Sequence, residues 1–351
     1  MRTMKIHSAA MLGALALTLG VASRAAADPV AVDAKVAPYK VVSGVSGSLS
    51  SVGSDTLNNL MTFWSEKFNK FYPNVKMQVE GKGSSTAPPA LIAGTSQLGP
   101  MSRTMKNTEI DDFEKKFGYK PTPVRVAVDS LAVFVNKDNP IECLSLPEVD
   151  AIFSKSRRSG YKGDIRTWGQ LGLKADWAER PISLYGRNSA SGTYGFFKEH
   201  VLGNGDYKDE VKEQPGSASV VQGVTVDRFG IGYSGIGYAT PGVRAIKLSK
   251  EKGGACVEPD AENAYSGKYP IARFLYIYVN KPADKRTAVR VFFGRTGDFS
   301  TDSGFSTVAA RAISSGSSET EAVSSRAISS APFSSLSFTP RLFHHSSSSV
   351  L

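Results

Sequence analysis

The sequence predicts an α/β fold in a chain long enough for two domains. Short apolar or alternating segments, which are typical of strands, follow one another along the chain with helical segments between them. The 351 residues suffice for two domains of ordinary size. Polar turns rich in Ser, Thr and Gly lead from strands into helices at three places. Because ligands of α/β sheets bind at the carboxyl ends of the strands, we expect a ligand site at these turns.

The first 27 residues have the features of a secretory signal peptide. Arg2 and Lys5 form a basic start, residues 9–21 form an apolar run, and three alanines before Asp28 form a small-residue cleavage site. The apolar run is too short to span a bilayer comfortably, which favours cleavage over the alternative of a retained membrane anchor. We therefore expect residues 1–27 to be removed and the mature protein to be exported.

The charge of the chain favours an anionic ligand. The formal net charge is +10, and removal of the signal peptide, which carries three basic residues and no acidic ones, leaves +7. This excess is spread along the chain, and no dense run of Lys or Arg alternates with aromatic residues. We therefore expect no nucleic-acid partner.

The cysteines and histidines indicate no metal site. The two cysteines, Cys143 and Cys256, most simply form a disulfide in an exported protein, with two separate buried thiols as the alternative. Neither has a metal-ligand neighbour at useful spacing, and the four histidines form no metal-binding motif. A Ser-His-Asp hydrolase is equally poorly supported. We expect neither a cofactor nor an enzymatic activity.

The first half of the chain contains two of the strand-to-helix turns. Residues 28–49, rich in Ala, Val, Ser and Gly, are expected to form a flexible leader. The turn at 53–57 precedes a helix with an apolar stripe that ends at Pro73. A strand at 75–79 is followed by the second turn, at 83–86, and by two prolines that favour a helix start.

A strand end, a surface helix and a buried strand follow. Residues 96–103 are predicted to end a strand and finish in Ser102 and Arg103. Residues 108–117 are predicted to form a charged surface helix. The almost wholly apolar run 131–136 is expected to be a strand buried in a helix-covered sheet. Residues 147–179 predict short helices whose aromatic side chains pack in the core.

The third strand-to-helix turn lies in the second half of the chain. A strand at 181–186 leads into the turn 187–193 and then into a helix at 194–202. The glycine-dense segment 229–238 is expected where the chain crosses between domains. Residues 274–280 predict another buried strand.

The three turns share a structure that favours anion binding. A helix N-terminus carries a partial positive charge and points unpaired N–H groups outward. Each turn presents Ser, Thr or Gly at such a start, and Arg187 adds a planar group of donors suited to phosphate or carboxylate oxygens. An ordinary N-cap beside a surface arginine is the alternative for any single turn. Three such turns in one chain favour an oxyanion held from two domains.

The C-terminal segment differs in composition from the rest of the chain. Residues 294–351 are rich in serine, repeat Arg-Ala-Ile-Ser-Ser at 311–315 and 326–330, and show no sustained periodicity. Such a composition buries too little apolar surface to offset the entropy of ordering, so we expect disorder. A reading-frame artefact is an alternative origin of this tail, which resequencing of the coding region tests.

These segments resemble the phosphate-binding proteins of bacterial phosphate ABC transporters, the PstS type of solute receptor. The similarity runs from about residue 52 to residue 281. Its most specific parts are residues 53–57, 83–85, 128–133, 187–193, 269–270 and 275–280. Each of these segments alone is weak evidence for the family, but their occurrence in this order along the chain is specific to it.

The resemblance implies a type II periplasmic-binding-protein fold with two hinged lobes, each a mixed sheet flanked by helices. Residues 50–131 and 241–293 would form the first lobe, and residues 132–240 the second. The lobes would close on phosphate, and the protein, as a monomer in the periplasm, would dock on the permease subunits of an ABC transporter.

The same resemblance implies which residues bind phosphate. Its oxygens would be held by hydroxyl and backbone groups of the turns and by one guanidinium. The expected ligands are Thr56, Leu57, Ser84, Ser102, Arg187, Ser191, Gly192 and Thr193.

Ser102 is a departure from the family pattern. Family members place an aspartate there, and its carboxylate accepts the proton of phosphate and so excludes fully ionised sulfate. Ser102 either accepts or donates a hydrogen bond, which leaves the selectivity open. We expect Asp55 or Asp129 to supply the acceptor in this chain.

Two other functions stay open on the sequence alone. A secreted phosphatase on the same scaffold would need a nucleophile with a base or metal beside it, and no residue here combines those roles. A receptor for another tetrahedral oxyanion would use the same kind of site.

Overall fold

The computed structural model describes residues 39–280 and Phe292, so the expected signal peptide and the serine-rich tail lie outside the described residues. The strands are β1 (Gly47–Val52), β2 (Val75–Glu80), β3 (Gly99–Met101), β4 (Thr122–Asn136), β5 (Cys143–Ser145), β6 (Ser183–Arg187), β7 (Lys212–Gln214), β8 (Gly230–Gly235), β9 (Val243–Ala245), β10 (Lys247–Ser249) and β11 (Ala272–Val279). The helices are α1 (Asn58–Phe71), α2 (Ala87–Ala93), α3 (Asn107–Phe117), α4 (Leu146–Phe153), α5 (Gly192–His200), α6 (Ser217–Val226) and α7 (Ala261–Tyr265). Within residues 39–280, no helix has both the length and the apolar composition needed to cross a membrane.

Strand β4 runs through both halves of the fold. Its first part, residues 122–130, pairs antiparallel with β11, and its last part, residues 131–136, pairs antiparallel with β8 and β9. Strand β3 extends the sheet beyond β11, while β6 and β7 extend it beyond β8. The sheet therefore belongs to two lobes, and we call the β3–β11 side the first lobe and the β8–β6–β7 side the second.

The first lobe packs helix α1 against the parallel pair of β1 and β2 and gathers α2 and α3 in a second cluster. Helix α1 buries Met61, Trp64 and Phe68, which recur at helical spacing on one face. Helices α2 and α3 form a second cluster around Leu91 and Phe113. Both clusters contain residues of β11, so they are anchored on the first part of the shared sheet.

The second lobe packs on both faces of the last part of β4. Val133 belongs to a cluster with Trp168 and Phe197, whereas Phe134 belongs to a cluster with Val220 of α6. Successive side chains of a strand point to opposite faces, so this alternation buries the strand on both sides. The predicted aromatic core and the predicted buried strand are therefore both confirmed.

The N-terminal boundary of the fold differs from the predicted one. Strand β1 begins at Gly47, and Val45 and Leu49 are buried in the cluster that contains α1. The ring of Tyr39 stacks on that of Phe71, with centroids 5.3 Å apart. The expected flexible leader, residues 28–49, is therefore wrong for residues 39–49, because their apolar side chains pack in the first lobe.

The C-terminal boundary between the lobes also differs. The sequence places residues 241–293 in the first lobe, but β9 pairs with the last part of β4, and β10 pairs parallel with β5. Leu248 and Tyr269 are buried in the second-lobe cluster. The chain returns to the first lobe with β11, so β4 and β11 are the crossing strands. The glycine-dense segment 229–238 does not cross; it forms β8 inside the second lobe.

A disulfide joins Cys143 and Cys256, which are 113 residues apart in sequence, with Cα atoms 6.1 Å apart. Cys143 begins β5, and the residue after Cys256, Val257, exchanges backbone hydrogen bonds with Leu248 of β10. The disulfide therefore ties the segment after β10 to β5 within the second lobe.

Candidate functional site

The N-terminus of α5 forms one wall of the cleft between the lobes. The hydroxyl of Ser191 caps this helix and accepts hydrogen bonds from the amides of Thr193 at 3.1 Å and Tyr194 at 3.4 Å. Ser191 and Thr193 are buried. Because Gly192 is the first residue of the helix, its amide has no carbonyl partner within the helix and points outward.

Gly192 lies directly against two hydroxyls of the first lobe. A Cβ atom at this position would stand 2.2 Å from Ser84 Oγ and 2.7 Å from Ser102 Oγ. The two hydroxyls lie 3.2 Å from each other, and Ser84 Oγ also accepts a hydrogen bond from the amide of Ser102 at 3.0 Å. Three predicted site residues from separate segments therefore meet at one point, where the close approach requires glycine.

The turn around Ser84 also touches the second lobe through its backbone. The amide of Ser85 donates to the carbonyl of Ala190 at 3.1 Å. Gly83 has a φ of 106°, and a Cβ there would stand 2.5 Å from the same carbonyl oxygen. The predicted turns at 83–86 and 187–193 are therefore in direct contact.

The turn at 53–57 joins the site through Thr56. Thr56 Oγ1 lies 2.9 Å from Thr193 Oγ1, so a hydroxyl from each lobe meets across the cleft. The side chain of Leu57 is buried in the core of the first lobe, and only its backbone is available to a ligand. All three turns singled out in the sequence thus converge.

Arg273 is a site residue that the sequence analysis missed. Its Nε and Nη2 donate to Asp129 Oδ2 at 3.0 and 2.9 Å, its Nη1 donates to the carbonyl of Ser102 at 3.0 Å, and its Nη2 donates to Thr193 Oγ1 at 3.0 Å. Asp129 and Arg273 are register partners on β4 and β11, so sheet pairing brings them together. The signal in the sequence is a single charged residue in an otherwise apolar and aromatic strand.

The Asp129–Arg273 ion pair is buried, so its two charges interact with little screening by water. Arg273 is 6% exposed and Asp129 is 7% exposed. Desolvation lowers the pKa of the Arg273 guanidinium, and the charge of Asp129 together with its hydrogen bonds opposes that shift. The pair places a fixed cation beside the hydroxyls of both lobes.

Arg187 is buried, so the alternative of a surface arginine is wrong. Its Nη1 donates to Ser217 Oγ at 2.7 Å and lies 3.2 Å from Asp55 Oδ2, and its Nη2 donates to the carbonyl of Pro215 at 3.2 Å. Burial lowers the pKa of Arg187, Asp55 raises it, and the charge of Arg273 lowers it again. The two guanidiniums therefore repel each other, and an anion between them would relieve that repulsion.

The two candidate acceptors have different surroundings. Asp55 Oδ2 accepts a hydrogen bond from the amide of Ser217 at 2.7 Å in addition to its contact with Arg187. Asp129 Oδ2 receives both bonds from Arg273, while Oδ1 lies beside Gly235, where a Cβ would stand 3.2 Å away. The same Cβ would stand 3.3 Å from the methyl group of Thr56, so Asp129 and Thr56 both lie against Gly235.

A two-lobe α/β fold with a donor-lined cleft at its crossing strands defines the class of solute-binding proteins. Residues 40–293 match the PBP superfamily domain, which confirms this fold class. A structure of an ABC-type phosphate transport receptor from Vibrio cholerae has the same fold, with a TM-score of 0.53 over 70% of this chain and 93% of that one at 23% identity.

The chain belongs to the PstS family of phosphate-binding proteins. It is 58% identical over 271 residues to the phosphate-binding protein PstS of Pseudomonas aeruginosa, which covers 77% of this chain and 84% of that protein. It is also similar to a substrate-binding protein assigned to a phosphate ABC transporter of Clostridium perfringens and solved with bound phosphate. That structure is 25% identical, with a TM-score of 0.59 over 70% of this chain and 91% of the other.

Proposed function

We propose that this chain binds inorganic phosphate in the periplasm and delivers it to the permease of an ABC-type phosphate transporter. The observation that carries the proposal is the convergence of three helix starts, from two lobes, on one cleft lined by hydroxyl and guanidinium donors. The ligand is supported by the Pseudomonas relative, which is named a phosphate-binding protein, and by the phosphate in the Clostridium structure. PstS-type proteins are transport receptors, so the phosphatase alternative lacks support.

Phosphate fits the donors of the cleft in number and in charge. Its oxygens would accept hydrogen bonds from the hydroxyls of Thr56, Ser84 and Thr193. The amides at the helix starts and the guanidinium of Arg187 would supply the other donors. Charge-assisted hydrogen bonds contribute about 1.5–3 kcal/mol each, against an association cost of roughly 4–15 kcal/mol. Six or more such bonds therefore support a net free energy near −8 kcal/mol, which corresponds to about micromolar affinity. The hydroxyl of Ser191 accepts from the amides of Thr193 and Tyr194 when it caps α5, which leaves its O–H free to donate to phosphate.

Asp129 is the acceptor that we assign to the proton of phosphate. Its Oδ2 is occupied by Arg273, whereas its Oδ1 lies beside Gly235, next to Thr56. The P–OH group of hydrogen phosphate would donate a hydrogen bond to Oδ1. Sulfate has no proton at neutral pH, so its oxygen lone pairs would be repelled by the carboxylate. Asp129 thus takes the role that the family pattern gives to the position of Ser102. Ser102 instead supports Ser84 through its amide and hydroxyl.

Calorimetric titration of phosphate, sulfate and arsenate into the phosphate-stripped mature chain tests the proposed ligand. We expect micromolar or tighter binding of phosphate, similar binding of arsenate, which also carries a proton, and sulfate binding weaker by at least tenfold. Preferential binding of sulfate would contradict the proposal. Incubation with an aryl phosphate is the matching test of the phosphatase alternative, for which we expect no turnover.

Two measurements test the cellular part of the proposal. N-terminal sequencing of the protein recovered from the periplasm should find Asp28 first, as the expected cleavage site requires. Phosphate uptake by cells should depend on both this chain and the permease subunits. Unchanged uptake at low phosphate after deletion of this chain alone would contradict delivery to the permease.

A further inference from the structure

Asp55 belongs to the first lobe, but its side chain is bonded to the second. It lies in the turn between β1 and α1, and its Oδ2 accepts a hydrogen bond from the amide of Ser217 at 2.7 Å. The same oxygen lies 3.2 Å from Nη1 of Arg187, at the end of β6. One carboxylate oxygen thus meets two groups that belong to the opposite side of the cleft.

Helix α6 lacks a side-chain cap of its own. Its N-cap residue is Gly216, which has no side chain to accept a bond from the first amides of the helix. Asp55 takes this place from the other lobe, because its carboxylate receives the amide of Ser217. A Cβ on Gly216 would stand 3.2 Å from Asp55 Oδ1, so the absence of a side chain makes room for the carboxylate. The partial positive charge of the helix start and the charge of Arg187 both attract it.

The backbone of Asp55 is held by the second lobe as well. The hydroxyl of Tyr238, which follows β8, donates to the carbonyl oxygen of Asp55 at 2.7 Å. Both the main chain and the side chain of one first-lobe residue therefore contact the second lobe. Every one of these contacts spans the cleft, so each is lost when the lobes separate.

We propose that Asp55 is a positioning residue that latches the two lobes together and orients Arg187, and that it sets how long phosphate stays bound. This proposal rests on the proposed phosphate-binding function. It assigns Asp55 a role in closure, in contrast to the role of Asp129 as the acceptor from the ligand. Because the carboxylate meets its partners only when the lobes touch, its loss should speed opening and leave the first encounter with phosphate nearly unchanged.

The test compares the rates of phosphate association and release for Asp55→Asn and wild type. Release is followed as a chase of radiolabelled inorganic phosphate by excess unlabelled phosphate. We expect release from Asp55→Asn to be about tenfold or more faster, with the association rate within about threefold of wild type. Asp55→Glu keeps the carboxylate and should recover part of the loss. The control is Asp138→Asn, since Asp138 is exposed and pairs with the neighbouring exposed Lys137.

The possible outcomes separate the latch from the proposed function. Release from Asp55→Asn that matches Asp138→Asn would overturn the latch while phosphate binding by wild type stands. A loss of phosphate-over-sulfate discrimination in Asp55→Asn would also overturn it, since Asp55 would then be the acceptor from the ligand. If wild type binds no phosphate, the proposed function itself fails. Should Asp55→Asn fold poorly, Tyr238→Phe serves as the second variant, and its release must also be faster than that of wild type.

Discussion

Two regions of the cleft each pair a buried arginine with an aspartate, and the pairs differ in what brings them together. Asp129 and Arg273 are register partners on adjacent strands, so sheet pairing fixes their separation. Asp55 and Arg187 come from opposite lobes and lie 3.2 Å apart because the lobes are in contact. The same two chemical groups therefore have different roles: the first pair prepares the site, and the second depends on closure.

This difference shows that burial alone does not define the role of an ion pair. Desolvation of two charges offsets much of their attraction, so a buried pair is weak grounds for inferring stability. Its role follows from whether the partners stay together when the lobes move. Substitutions in the fixed pair and in the pair that spans the cleft should therefore have different effects.

Loss of Arg273 should have the largest effect, because it leaves the Asp129 carboxylate buried without its partner. We expect Arg273→Ala to lower the free energy of unfolding by about 3–5 kcal/mol and to weaken phosphate binding at least tenfold. Urea unfolding and calorimetric titration measure the two quantities. Arg166→Ala is the matched control: its exposed side chain pairs with Asp164 and Glu210, and its loss should cost less than about 1 kcal/mol. Equal losses in both variants would contradict the structural role of the fixed pair.

Asp129→Asn should change which anion binds. The amide cannot accept the ligand proton as a carboxylate does, so we expect the ratio of the sulfate to the phosphate dissociation constant to fall by about 10–100-fold. The same change at Asp55 should leave this ratio unchanged, because that carboxylate is bonded to Ser217 and Arg187. Titration of both anions into both variants checks this, and a reversed pattern would exchange the two roles.

Gly192→Ala should disturb the contact between the lobes without removing a charge. Its Cβ would stand 2.2 Å from Ser84 Oγ, and such overpacking costs about 1–3 kcal/mol. Gly195, in the same helix, is the control, since a Cβ there would meet Arg103 Cδ at an ordinary 3.5 Å. Replacing this helical glycine by alanine should stabilise the protein by about 0.5–1 kcal/mol. Thermal unfolding and phosphate titration compare the two variants, and equal phosphate affinity would place Gly192 outside the site.

Tyr238→Phe should have the smallest effect, confined to the pair that spans the cleft. It removes the hydrogen bond to the carbonyl of Asp55 but keeps the ring. A neutral hydrogen bond contributes about 1 kcal/mol, so phosphate release should be about fivefold faster. The phosphate-over-sulfate ratio should stay that of wild type. A release rate equal to that of wild type would remove Tyr238 from the latch.

The sequence predicted those parts of the site that local patterns encode. The turns at 53–57, 83–86 and 187–193 follow strands and open helices, as the polar residues at each junction indicated. The sequence also predicted helix α1 and the buried part of β4. The apolar residues of α1 recur at helical spacing because one face is buried, and the continuous apolar run in β4 reflects burial on both faces. The boundary at residue 241 was wrong, since β9 and β10 are assigned to a lobe by their pairing with β4 and β5.

By itself, the sequence determined the elements, the three helix starts and the kind of ligand they suit, because turn residues and hydrophobic periodicity act within a few residues of each other. Only the tertiary structure decided the partners of the charges. Arg273 meets Asp129 because β11 returns beside β4 after 144 residues, and Asp55 meets Arg187 because two lobes come into contact. Such pairings depend on strand order and lobe packing, which no local pattern specifies.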